Sequence, residues 1–165
     1  MQNPNVLALV EGKHRPIYIS WNERQSGTSS GKRDLGHRPL PLTNRPGWQG
    51  AATGPVVSGV NFRFFPYHLP GGQQRPFHTA DNLELLIFVF EGEIEFGIGT
   101  KAEELEWIRV KKFDTLFVPL GMGVGYRNPG KTDARYVMTS ARVGEWPREV
   151  VYHLPGEKEP FVRPF

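Results

Sequence analysis

A chain of 165 residues can bury one core without covalent staples, and the absence of cysteine excludes disulfides, thiolate metal sites and a cysteine nucleophile. Its 20 basic and 17 acidic residues leave a net charge of only +3, and the basic ones are scattered rather than gathered in a stripe among aromatics, which argues against a nucleic-acid partner. The counts that stand out are 19 Gly, 15 Pro and 11 Phe, a balance that favours short strands separated by turns.

The apolar run Val6 to Val10 is short for a secretory leader and has no basic residue ahead of it, and no segment approaches the length of a membrane span. A cytoplasmic protein without a membrane partner is the expectation. PIYIS (16–20) alternates and predicts a strand. From Asn22 to Gly54 the chain is rich in Gly, Ser, Pro and Arg with no apolar period, so residues 1–55 read as an irregular arm with one strand. SGTSSGKRD (26–34) is not a phosphate loop: Gly27 and Gly31 enclose three residues where four are needed, and Arg33 follows Lys32 where Ser or Thr belongs.

From Val56 the pattern changes. VVSGVNFRFFPYHL predicts an extended segment ending at the turn LPGGQ, and ELLIFVFEG is a continuous apolar run of the kind found in strands buried on both faces. EGEIEFGIG alternates, with Ile94, Phe96 and Ile98 on one side and Glu93 and Glu95 on the other. LEWIRV, DTLFVPLG, GVGYRNPG and ARYVMTSARV continue the series, which predicts an all-β sandwich or barrel over 56–142. Phe62, Phe64, Phe65, Phe88 and Phe90 are expected in its core. EWPREVVYHLPGEKEPFVRPF, within 143–165, predicts an extended tail along the barrel.

The framework of 56–142 resembles the cupin superfamily. Gly72 precedes His78 at the spacing of that family's first motif, and EGE (91–93) supplies its closing turn at Gly92. Pro119, Gly121 and Asn128 fall on the marks of the second motif, with Asp114 near its start. The resemblance implies a jelly-roll (double-stranded β-helix) barrel and a small-molecule ligand. It also implies a homodimer, to which Phe161, Val162 and Phe165 of the tail could contribute.

The family's metal ligands do not follow. Ala80, Leu85 and Val124 stand where two histidines and a carboxylate would be, and Phe113 replaces the second motif's first glycine. Only His78 remains, whereas a catalytic divalent metal needs about three protein ligands. No cofactor is therefore expected, unless a strand irregularity brings His68 and Glu84 to His78 as a rearranged metal site.

Strand alternation from His78 and Ala80 predicts a pocket continued by Leu85, Ile87, Val89, Val124 and Tyr126. Arg63 and Tyr67 share one face of their segment and His68 takes the other, and alternation leaves open which face is inward. Arg75 either grips a ligand carboxylate, as the resemblance implies, or pairs with Asp81 or Glu84 at the surface. His78 as proton carrier and Tyr126 as oxyanion donor would suit a metal-independent isomerase, cyclase or lyase acting on a carboxylated or carbonyl compound. A non-catalytic ligand-binding or sensor module and a metal-dependent dioxygenase are the other readings these residues admit.

Overall fold

The computed structural model describes residue 47, residues 57–58 and residues 61–164. The expected N-terminal arm, the strand at 16–20 and the loop at 26–34 lie outside the described residues. In chain order the strands are β1 (Val57–Ser58), β2 (Phe62–Leu69), β3 (Gln74–Thr79), β4 (Leu83–Glu91), β5 (Glu93–Gly99) and β6 (Glu106–Lys111). They continue with β7 (Thr115–Val118), β8 (Gly123–Arg127), β9 (Ala134–Arg142), β10 (Glu149–Tyr152) and β11 (Phe161–Pro164). No helix among the described residues is long and apolar enough to cross a membrane.

All pairings are antiparallel. One sheet runs β1-β2-β9-β4-β7 and the other β11-β10-β3-β8-β5-β6. A single apolar cluster takes residues from both, including Leu69, Ile87, Val89 and Tyr136 from the first and Ile94, Phe96, Val124 and Tyr126 from the second. This is the jelly roll expected from the turn framework, two sheets sealed over one core. The alternation of β5 is as predicted, with Ile94, Phe96 and Ile98 buried. The segment after residue 142 does more than lie along the barrel: β10 joins β3, and β11 joins β10. Phe161 packs onto Val150 and Tyr152 of its own chain, and Phe165 lies outside the described residues.

The apolar run of β4 is not buried on both faces. Leu83, Ile87 and Val89 are buried while Leu86 and Phe88 are 49% and 39% exposed, so the strand has one inner and one outer face. An apolar run alone does not distinguish the two cases. Phe62 also points outward and is exposed, so it and Phe88 depart from the core expected of them.

The turns explain the framework residues. Asn128 is buried and donates from Nδ2 to the carbonyls of Leu69 (3.0 Å) and Thr132 (2.8 Å), while its Oδ1 accepts from the N–H of Gly130 (3.0 Å). It thereby ties the end of β2 to the β8–β9 turn. Gly92 turns β4 into β5 at φ 74°, and a Cβ there would lie 2.9 Å from the carbonyl oxygen of Asp133. Both the backbone conformation and the space require glycine. Phe113 adopts the same left-handed conformation, φ 74°, with a side chain 68% exposed. Glycine would relieve strain of about 1–3 kcal/mol there, partly offset by its greater freedom in the unfolded chain. Phe113→Gly is expected to raise the unfolding free energy by about 1 kcal/mol, read as a higher urea midpoint at unchanged slope. A lower midpoint would mean that the ring's contact with Phe88 outweighs the backbone strain.

Candidate functional site

The site begins with one extra residue in β3. Arg75 pairs with Tyr126 and His78 with Val124, so three steps on β3 match two on β8. In a regular strand, residues three apart face opposite sides. The bulge turns both Arg75 and His78 into the barrel, on the side of Tyr126 and Val124. Pro76 lies within it, where the ladder has no use for the N–H that proline lacks.

A cavity of ≈ 90 Å³ opens between the sheets, room for several waters at about 10–15 Å³ each. One wall comes from Arg63, Phe65 and Tyr67 of β2, Leu83 and Leu85 of β4, and Met138 and Ser140 of β9. The other comes from Arg75 and His78 of β3, Val124 of β8, and Val150 and Tyr152 of β10, with Ala80 and Met122 beside them. The register of β2 against β9 settles the face that alternation left open: Arg63 lies opposite Ser140, Phe65 opposite Met138 and Tyr67 opposite Tyr136.

Of the residues predicted from the sequence, Arg63, Tyr67, Arg75, His78, Ala80, Leu85 and Val124 line this cavity together. Ile87, Val89 and Tyr126 do not. They point inward but lie deeper, in the core, with Tyr126 only 1% exposed and packed edge-on against Tyr136 at 5.6 Å. Tyr152, from the segment predicted to be a tail, joins Tyr67 in lining the cavity. Tyr152 pairs with His78 in register and the two rings stack at 4.8 Å. Ser140 was also missed; nothing in TSAR marks it until β9 is aligned with Arg63.

Arg75 is not a surface partner of Asp81 or Glu84. It is 4% exposed and donates from Nη2 to the Tyr152 hydroxyl at 3.1 Å, while its Nη1 is buried with no hydrogen-bond partner. Burial works to lower its pKa, but the phenols of Tyr126, Tyr152 and Tyr67 hold it above the ordinary value. Those phenols turn negative only in alkali, so at neutral pH they offer dipoles and no counter-charge. Arg63 is partly buried over the Trp146 ring, 4.7 Å from its centroid, and burial draws its pKa down to about 10, still cationic at neutral pH.

His78 Nδ1 lies 2.9 Å from the carbonyl oxygen of Pro76. A carbonyl only accepts, so Nδ1 carries the hydrogen, and in the neutral ring Nε2 holds the lone pair.

The residues do not fit a metal. Ala80, Leu85 and Val124 direct alkyl groups into the cavity beside the lone His78. The rearranged set is not brought together either. Glu84 alternates to the outer face of β4, between the cavity-lining Leu83 and Leu85. His68 faces outward from β2 and donates from Nε2 to Asp133 Oδ2 at 2.7 Å, which holds that carboxyl below its ordinary range. Among the described residues no three His, Asp or Glu side chains converge.

No protein-family model and no curated protein matches the chain. Solved structures do match. The Bacillus halodurans protein BH2720 is similar over 93% of this chain and 92% of its own, at 14% identity and a TM-score of 0.53. The Schizosaccharomyces pombe Cnp3 cupin domain aligns with 51% of this chain at 23% identity and a TM-score of 0.45, and 58% of that domain's length is spanned. An RmlC-like cupin family protein with a double-stranded β-helix fold, from Methanocaldococcus jannaschii, aligns with 56% of this chain and 83% of its own at 19% identity and a TM-score of 0.46. The likeness is of fold alone, a jelly roll of two antiparallel sheets. In this fold the cavity brings Arg63, Tyr67, Arg75, His78, Ser140 and Tyr152 together on otherwise apolar walls.

A buried charge with only a neutral partner costs stability unless a ligand compensates it. Arg75→Met, of similar length and apolar, is expected to raise the stability of the ligand-free protein by about 1–2 kcal/mol in a urea titration. A loss of that size would show that the bond to Tyr152 outweighs the desolvation of the guanidinium.

Proposed function

We propose that the cavity binds a small organic acid through Arg75 and that His78 moves a proton on it next to a carbonyl, without a metal. The observation that carries this is the buried Nη1 of Arg75, which lines the cavity with no hydrogen-bond partner and no carboxylate paired to the guanidinium among the described residues. A carboxylate or enolate oxygen supplies what that group lacks, and the forked guanidinium suits it.

The chemistry follows from the neighbours. His78 Nε2 takes a proton from the carbon beside the carbonyl, and the electron pair moves onto the carbonyl oxygen as an enolate. Arg75 and the Tyr152 hydroxyl stabilise that oxygen; the phenol accepts from Arg75, which polarises its own O–H as a donor. Return of a proton to the same carbon re-forms the carbonyl and completes an exchange or an epimerisation at that carbon. The bond from Nδ1 to Pro76 keeps the ring oriented throughout. The same reading takes the protein as a cytoplasmic homodimer, supported by the edge strand β11 with its exposed Val162 and tested by light scattering at micromolar concentration.

The chemical step is tested by incubating chelator-treated protein in D₂O with 2-oxobutyrate as probe and following loss of the C3 proton signal by NMR. Wild type is expected to exchange it, and His78→Ala to slow the exchange by about 100-fold or more. Binding without exchange by the wild type would replace catalysis with a ligand-binding module, the second reading that the largely apolar lining supports. Restoration of exchange only by added metal would overturn the metal-free mechanism.

A further inference from the structure

One buried polar group on the cavity wall takes no part in the proton transfer above. Ser140 of β9 lines the cavity from the sheet facing Arg75 and His78. It is 2% exposed, and its Oγ is buried with no hydrogen-bond partner among the described residues. Its neighbours across the ladder do not supply one. Leu85 of β4 offers only an alkyl group, and the Arg63 guanidinium of β2 lies over the Trp146 ring. Met138, two residues back on the same strand and also lining the cavity, is apolar. A serine hydroxyl both donates and accepts, and burying it unbonded costs stability.

Water entering the cavity can meet that need, but a ligand that fills ≈ 90 Å³ displaces the water and must bring an oxygen in its place. A plain alkyl chain would leave Oγ unbonded against it, which is how a site built around a hydroxyl rejects analogues that lack one. We infer that Ser140 determines specificity and that the organic acid is a hydroxy acid, its carboxylate on Arg75 and its hydroxyl on Ser140. The alkyl surroundings of Ser140 suit a neutral hydroxyl better than a second charge, whose desolvation one serine cannot offset. Facing sheets stand about 10 Å apart and the Arg75 side chain spans part of that gap, so only a few carbons separate the two groups of the ligand. This inference rests on the organic-acid reading and narrows it to a substrate class.

The test is isothermal titration of the full chain, treated with chelator, with 3-hydroxybutyrate, 4-hydroxyvalerate and 5-hydroxyvalerate against butyrate and valerate, which lack only the hydroxyl. The best hydroxy acid is expected to bind at least about tenfold more tightly than its plain counterpart. Ser140→Ala, which removes the hydroxyl without adding bulk, should bring that ratio close to one while butyrate and valerate bind as before. Equal affinity of plain and hydroxy acids for the wild type would overturn the hydroxy-acid class while leaving the organic-acid reading in place. Failure of every acid to bind would overturn both. The wild-type ratio decides the substrate class even if the variant does not fold, and a preference that survives in a folded Ser140→Ala protein would remove Ser140 from the site.

Discussion

The candidate site depends on the extra residue between Arg75 and His78. A regular β3 would send one of them into the barrel and the other to the outer face of the sheet. The bulge sends both inward, and this has two consequences. It buries a guanidinium beside three tyrosines, and it places the carbonyl of Pro76 where it orients the histidine. β10 then completes the arrangement by laying Tyr152 against His78 and bonding it to Arg75. Strands from three parts of the chain must hold their register for these groups to meet, so the polar cluster is a property of the whole sheet.

The walls around these groups shape their chemistry as much as the groups themselves. Alkyl side chains at Ala80, Leu85 and Val124 cannot hold a metal, but they keep the local dielectric low. In such surroundings one fixed guanidinium acts on a developing negative charge far more strongly than it would in water. The same surroundings make the guanidinium costly in the empty protein. Stability and binding are therefore set against each other at Arg75, as at many functional sites.

The parts of the fold legible in the sequence were those governed by local chemistry. Gly92, Pro119, Gly121 and Asn128 mark turns whose backbone demands are met within a few residues, and β5 alternates because one of its faces is wet. The inward face of β2 was not legible, because FRFFPYHL carries large side chains on both faces and only pairing with β9 separates them. The bulge in β3 was invisible for the same reason: an extra residue exists only relative to a partner strand. Tyr152 went unnoticed in a segment with no motif, and Tyr126 was placed correctly by alternation but one layer too shallow. Exposed Leu86 and Phe88 show the limit of reading burial from an apolar run.

The central claim is that Arg75 holds an organic anion without the help of a metal. The most direct measurement is a calorimetric titration of chelator-treated protein with propionate and with propionamide, its uncharged counterpart of the same shape. The account predicts binding of the acid, little or none of the amide, and loss of the acid's heat signal in a folded Arg75→Met protein. Equal binding of acid and amide, or acid binding that survives in Arg75→Met, would contradict it.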